Sequence, residues 1–151
     1  MRIRNIAVYV LLTLLAFTYA AAQSAADQKE LYDYVLTMDK AQKIATATQA
    51  LQPLSKQHPQ LTNQGDAKSI DESVQNFQKY PDAVAIVGKQ GMKPREYIVG
   101  MMVLLQVNMA VGFKKQGAFK DYPPDMLKMV SKANLDFGEK NWDKLQAMGK
   151  N

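Results

Sequence analysis

Apolar residues recur at helical spacing along the first third of the chain. Between residues 27 and 52 this pattern predicts one amphipathic helix of about seven turns. Its inward-facing positions are Leu31, Val35, Met38, Ala41, Ala45, Thr48 and Leu51. Because Pro53 lacks a backbone donor and clashes with the preceding turn, we expect the helix to end or kink there.

Start and stop signals for two short helices follow in the next part of the chain. Residues 53–68 contain two prolines, three glutamines, Asn63 and Gly65 and are typical of a loop. Ser69 with Glu72 matches a capping box and predicts a short helix that stops at Tyr80. Pro81 is expected at the first position of the next helix, and Gly91 is expected to end it.

Residues 97–113 form the most apolar segment after the amino terminus. A helix that is apolar nearly all round is either enclosed by other helices or lies in lipid. This segment has only 17 residues, contains Gln106 and Asn108, and carries glycines at 100 and 112, so it makes a poor membrane span. We therefore predict a central core helix near residues 95–116, packed against the long first helix.

Two more helices are predicted towards the carboxyl end. The first runs from about residue 124 to 132 with Met126, Leu127 and Val130 facing inward, and Asn134 is expected to cap the second. The inward positions of the last helix are Leu135, Gly138, Trp142, Leu145 and Met148. No stretch alternates as a strand does. The predicted fold is therefore all-α, a compact bundle of four to six helices after an N-terminal signal peptide.

The amino terminus has the features of a secretory signal peptide. Arginines at positions 2 and 4 precede an apolar run over residues 6–17, and small residues follow at 20–22. A basic start, a short apolar stretch and an Ala-x-Ala ending are what signal peptidase recognises. We expect cleavage between Ala22 and Gln23, because the apolar run is too short to span a bilayer.

This processing divides the chain into a cleaved signal peptide, residues 1–22, and one helical domain, residues 23–151. The domain is expected in the periplasm of a bacterium or in its medium, with no transmembrane span after cleavage. The chain contains no cysteine, which excludes a lipoprotein anchor, disulfides and thiolate metal sites.

Charge argues against nucleic-acid binding. Without the signal peptide, 17 lysines and arginines face 14 acidic residues, a net charge of +3. Only Arg95 remains as an arginine, and the lysines are spread along the chain. Nucleic-acid-binding proteins cluster their basic residues and favour arginine, so we expect no nucleic-acid partner.

Several short stretches resemble a pattern found in small exported bacterial helical proteins of unknown function. They are YPDAV at 80–84, GMKPREY at 91–97, and NLDF at 134–137 followed by Asn141. The resemblance covers about half of the processed chain and consists of helix boundaries. It implies a helical fold and export, and it implies no activity.

The candidate ligand-binding residues lie on the predicted central helix or in its first turn. They are Met101, Met102, Leu105, Gln106, Met109 and Arg95. Methionine fills cores, but it also lines permissive apolar binding surfaces. Arg95 stands at a helix start, where it can either bind an anion with the backbone donors or pair with an acid to hold the helix in place.

No metal or catalytic constellation is present in the sequence. His58 is the only histidine and is expected in an exposed loop. It remains an outside candidate for a haem or metal ligand, as do Met126 and Met129 for copper. No serine lies in a G-x-S-x-G motif and no Glu-x-x-His repeat occurs, so we expect no catalytic residue and no cofactor.

The leading functional hypothesis is a non-catalytic exported domain that binds a protein partner or an apolar small molecule. It rests on a methionine-rich, strongly apolar central helix in a chain without catalytic groups. The alternative is a periplasmic carrier of haem or copper.

Overall fold

The described residues, 24–61 and 67–149 of a computed structural model, form a compact all-α fold. Seven α-helices lie within these ranges, one more than the upper end of the predicted number. They are α1 (Ala25–Asp33), α2 (Met38–Gln57), α3 (Ile70–Gln78), α4 (Pro81–Lys89), α5 (Pro94–Lys115), α6 (Pro124–Met129) and α7 (Lys132–Met148), with a 3₁₀ turn at Pro59–Leu61. The predicted signal peptide and its cleavage position lie outside the described residues.

The single long helix predicted for residues 27–52 is wrong, because the chain breaks into α1 and α2 at residues 34–37. Tyr34 and Thr37 have extended backbone conformations, with ψ angles of 122° and 163°. The break changes which residues face inward. Leu36 is buried, whereas Val35, predicted to face inward, is 56% exposed.

Helix α2 also continues beyond Pro53 and ends at Gln57, so the proline does not terminate it. Its start is set by Thr37, whose Oγ1 accepts a hydrogen bond of 3.2 Å from the amide of Lys40. Such a cap satisfies one of the free amides of the first turn. Ile44, Ala47 and Leu51 form its buried face.

Helix α3 starts at the predicted capping residue. The Oγ atom of Ser69 accepts the amide of Glu72 at 3.1 Å, and the Glu72 carboxylate turns back to the amide of Lys68 at 2.7 Å. A buried carboxylate from α1 also binds the first turn of α3, where Asp27 accepts a hydrogen bond of 3.4 Å from the amide of Ile70. A negative charge is favoured at the positive end of the helix dipole. Pro81 and Pro94 open α4 and α5 as predicted, and Gly91 separates them with a φ of 71°.

Helix α5 is the centre of the domain and contacts α1, α2, α3, α4 and α7. Close approach is possible because small residues lie at the crossings. Gly100 faces Tyr34 and Ile44, and Gly138 of α7 lies against Val107. By length and composition alone α5 is also able to cross a membrane, but a buried core helix meets the same test.

The core consists of two groups of buried side chains, both of which include residues from or next to α5. One group is Leu31, Leu36, Ile70, Val99, Val103, Val107, Ala110, Val111, Val130 and Leu135. The other is Ile44, Ala47, Leu51, Leu61, Phe77, Ala83, Val87, Met92, Tyr97 and Ile98. Because both groups rest on α5, this helix holds the amino-terminal and carboxyl-terminal helices together.

Asn134 does not cap the last helix, contrary to the prediction. Ser131 is the N-cap of α7, and its Oγ accepts the amide of Asn134 at 3.4 Å. The Asn134 side chain is buried and points to the break between α1 and α2. There its Oδ1 accepts the amide of Leu36 at 2.9 Å, and its Nδ2 donates to the carbonyl of Tyr34 at 2.7 Å.

A polar cluster fixes the loop between α5 and α6 to α7. The Glu139 carboxylate accepts hydrogen bonds of 2.7 Å from both Lys114 Nζ and Tyr122 Oη. The Lys114 ammonium also lies 4.5 Å from the centre of the Tyr122 ring. These hydrogen bonds, from Lys114 first and then from Tyr122, hold the pKa of Glu139 below its ordinary value.

The substitution Glu139→Gln is expected to lower stability at pH 7 by about 0.5–1 kcal/mol, the usual range for a partly exposed ion pair. A carboxyl group with a lowered folded-state pKa contributes fully above its unfolded-state pKa, and this contribution is lost as pH falls through the folded-state pKa. The difference between wild type and variant should therefore be largest at neutral pH and shrink at pH 3. Urea unfolding at both pH values measures it.

The control for this prediction is Asp125→Asn, which breaks an exposed pair with Lys128. Both of these side chains are largely in solvent, so their removal should not measurably change the urea midpoint. If Glu139→Gln behaves like this control at pH 7, the cluster does not stabilise the loop.

Candidate functional site

The predicted ligand-binding residues of α5 lie together along one side of the helix. Positions 101, 105 and 109 are four residues apart, and positions 102 and 106 form the adjacent row. Leu105 is 50% exposed and is the most exposed large apolar residue of α5. The other members, Met101, Met102, Gln106 and Met109, are partly buried. We call these five residues the α5 face.

The rest of α5 is covered, which explains why the α5 face is a narrow strip. Val103, Val107 and Val111 are buried on the other side of the helix, where α7 packs. The side chains of Met101 and Met102 are partly buried because they pack against the core groups. The central helix is therefore covered on most sides and open to solvent at Leu105.

The two polar residues inside α5 have different surroundings. Gln106 belongs to the α5 face and is partly buried. Within the described residues, the Oδ1 atom of Asn108 is buried and accepts no hydrogen bond. A buried acceptor without a donor costs on the order of 1–3 kcal/mol.

Arg95 is engaged by two carboxylates of the same chain. Its Nε and Nη2 atoms donate to the two oxygens of Glu30 at 2.8 and 2.7 Å, and Nη1 donates to Asp71 at 2.5 Å. These hydrogen bonds, that with Glu30 first, raise the pKa of Arg95 above its ordinary value. The arrangement joins α1, α3 and α5. An added anion would have to displace a carboxylate, so we do not include Arg95 in the α5 face.

The outside candidates for metal ligands lie in two parts of the fold, His58 after α2 and the two methionines on α6. His58 follows α2 and packs against Tyr80 in a tilted ring contact, with 4.9 Å between ring centres. Met126 packs against one core group, and Met129 is 39% exposed. Among the described residues, no group of three or more His, Cys, Asp or Glu side chains is placed to hold a metal ion.

A second set of exposed apolar residues was not predicted from the sequence. Tyr32 lies in the last turn of α1 and Val35 in the break that follows it, while Leu127 and Met129 lie in α6, which contacts α1. Val35 and Leu127 were expected to face inward. Helical periodicity misplaced Val35 because the helix breaks there. It misplaced Leu127 because α6 has only six residues and rests on the core mainly through Met126 and the neighbouring Val130.

The side chains of the α5 face are suited to binding another molecule rather than to catalysis. The α5 face has apolar side chains and one amide, and it has no nucleophile or titratable group. In the two charged clusters of the described residues the charges are already paired within the chain. Arg95 is paired with Glu30 and Asp71, and Glu139 is paired with Lys114. Comparison of the chain with models of protein families, with curated proteins and with solved structures found no match.

Proposed function

We propose that this chain is an exported, non-catalytic domain that binds an amphipathic, acidic helix of a partner protein through the α5 face. The observation that carries the proposal is the half-exposed Leu105, at the centre of a methionine-rich strip on the long central helix. Contiguous apolar surface on a folded protein marks interaction sites, and Leu105 projects from apolar neighbours that are themselves partly exposed. Export is inferred from the basic, apolar and small-residue pattern of residues 1–22.

The shape of the α5 face favours a protein helix over a small apolar molecule. Ligand pockets enclose roughly 70–90% of a small ligand's surface. Leu105 instead stands out from a helix, flanked by residues at a spacing of three and four. Another helix can lay its apolar side along such a row and meet Met101, Leu105 and Met109 in turn.

The charges near the ends of α5 favour an acidic partner. Lys89 and Lys93 precede the helix, Lys115 is its last residue and Lys120 follows it. Within the described residues none of these four lysines forms an ion pair, whereas Lys114 is paired with Glu139. Acidic residues beyond the apolar stripe of a partner helix would meet these lysines and increase the rate of association.

The substitution Leu105→Asp is expected to weaken binding of a synthetic acidic amphipathic helix by about tenfold or more. Covering the remaining exposed half of a leucine contributes about 1–1.5 kcal/mol, and a buried aspartate would add a desolvation cost. Fluorescence anisotropy with a labelled peptide of Leu, Ala and Glu in a heptad pattern measures the affinity. A peptide of the same composition in scrambled order tests the need for an apolar stripe.

The matched control is Leu127→Asp, which changes a leucine of similar exposure on α6. It should leave the affinity within about twofold, because α6 is not part of the α5 face. Thermal unfolding of both variants checks that they fold. Equal binding by wild type and Leu105→Asp contradicts the proposed site. Binding of palmitate by mass spectrometry, with no binding of the peptide, contradicts the proposed class of partner.

A further inference from the structure

The segment that separates α1 from α2, residues 34–37, has the sequence Tyr-Val-Leu-Thr. It contains no glycine and no proline, and none of its residues has a positive φ. The apolar spacing of the surrounding sequence continues through it at the period of a helix, which is why a single helix was predicted. Nothing in these four residues prevents a continuous helix from residue 25 to residue 57.

The bend is held mainly by contacts with distant parts of the chain. Asn134 of α7 binds both the carbonyl of Tyr34 and the amide of Leu36. Leu36 itself is 3% exposed and belongs to the core. The local contribution is the Thr37 cap on α2, together with Lys40, which donates to the carbonyl of Val35 at 3.0 Å.

The docking of α1 also depends on residues far away in the sequence. Asp27 accepts the amide of Ile70, Glu30 binds Arg95, and Leu31 enters the core formed by α3, α5 and α7. Each of these contacts joins an α1 side chain to a group outside the α1–α2 segment. The same contacts therefore form whether α1 comes from the same chain or from another copy.

We propose that the groove that holds α1 accepts α1 from a second copy of this chain, so that two copies exchange their first helices. In the exchanged dimer residues 25–57 form one continuous helix, and each α1 makes the contacts of the monomer in its partner. Straightening replaces the Asn134 hydrogen bonds and the burial of Leu36 with backbone hydrogen bonds across residues 34–37, while the docking contacts of Asp27, Glu30 and Leu31 stay the same. A short connection between exchangeable elements favours such swapping. This proposal does not depend on the α5 face.

Charge reversal across the Glu30–Arg95 pair tests the exchange directly. A chain with Glu30→Arg and a chain with Arg95→Glu each place like charges at the α1 groove. When these two chains exchange α1, the arginine at position 30 meets the glutamate at position 95 in one groove, which restores an ion pair with reversed charges. In the other groove the original Glu30 meets the original Arg95. Mixing the variants after brief unfolding in urea should give a mixed dimer at least about tenfold more abundant than either variant's own dimer. Native mass spectrometry distinguishes the species if one chain carries ¹⁵N.

Val35→Pro is the matched control. Val35 is exposed, its amide makes no hydrogen bond within the described residues, and the extended ψ of Tyr34 suits a residue before proline. A proline at 35 is therefore compatible with the bend. In a continuous helix it would remove the hydrogen bond to the carbonyl of Leu31 and clash with that turn, at a cost of about 3 kcal/mol, roughly a hundredfold in the equilibrium. Added to both charge variants, it should abolish the mixed dimer. A mixture that stays monomeric, or a mixed dimer that persists with Val35→Pro, would overturn the proposal.

Discussion

Replacing Gly138 by alanine is expected to lower the free energy of unfolding by about 2 kcal/mol. A Cβ atom at this position would lie 2.3 Å from Val107 Cγ1 and 3.0 Å from Val111 Cγ2. Both valines are buried on α5, and a β-branched side chain on a helix has little rotamer freedom with which to move aside. Overpacking of this kind costs about 1–3 kcal/mol, and the better helix propensity of alanine offsets up to about 1 kcal/mol. Thermal unfolding should show a midpoint lower by about 6–10 °C.

Gly88→Ala is the control for this effect, because a Cβ atom at 88 in α4 would have no neighbour within 4 Å. It should stabilise the domain by about 0.5–1 kcal/mol through helix propensity alone. The double substitution Gly138→Ala with Val107→Ala should cost less than the sum of the single changes, because it removes the clash. Strict additivity in this cycle would argue against a contact between the two helices at this point.

Replacing Asn134 by leucine is expected to cost about 3 kcal/mol or more. The side chain would keep a similar volume, but the carbonyl of Tyr34 and the amide of Leu36 would both lose their partner. Each buried backbone group left without a hydrogen bond costs about 1–3 kcal/mol. Urea unfolding measures the loss of stability, and hydrogen exchange should show faster exchange of the Leu36 amide.

Asn141→Leu is the matched control, because Asn141 lies on the same helix and donates only to the Phe137 carbonyl one turn before it. It should change the stability by less than about 1 kcal/mol. If the two asparagine variants are equally stable, Asn134 does not hold the bend. Asn134→Leu should also increase the population of the exchanged dimer, since it removes the long-range contacts that bend residues 34–37.

The members of the α5 face could be predicted from the sequence, but whether they line a cavity or lie exposed could not. The methionines and Leu105 were selected because they lie on the most apolar helix, and they share one side of it as the spacing requires. Periodicity could not show that Leu105 is open to solvent, since a helix that is apolar all round has no polar side to mark its surface. Helix α7 packs on α5 at Gly138, and this packing decides which side of α5 remains uncovered.

Short-range signals in the sequence determined most helix boundaries. Ser69, Pro81, Pro94 and Pro124 start helices where capping and proline geometry predicted them, and Gly91 ends one. These positions depend on hydrogen bonds and torsion angles within a few residues, which a sequence displays directly. The absence of strand periodicity likewise determined the all-α class.

Only the tertiary structure decided where the chain departs from the helical periodicity of its sequence. The sequence around residues 34–37 favours a continuous helix, but Leu36 gains burial in the core and Asn134 satisfies the backbone groups that the bend exposes. These partners are separated by about a hundred positions in the chain, so no local pattern contains them. The helical period of the sequence determined the fold class. The long-range packing around α5 decided the bend, the pairing of Arg95 and the exposure of Leu105, because burial and hydrogen bonding are properties of the assembled chain.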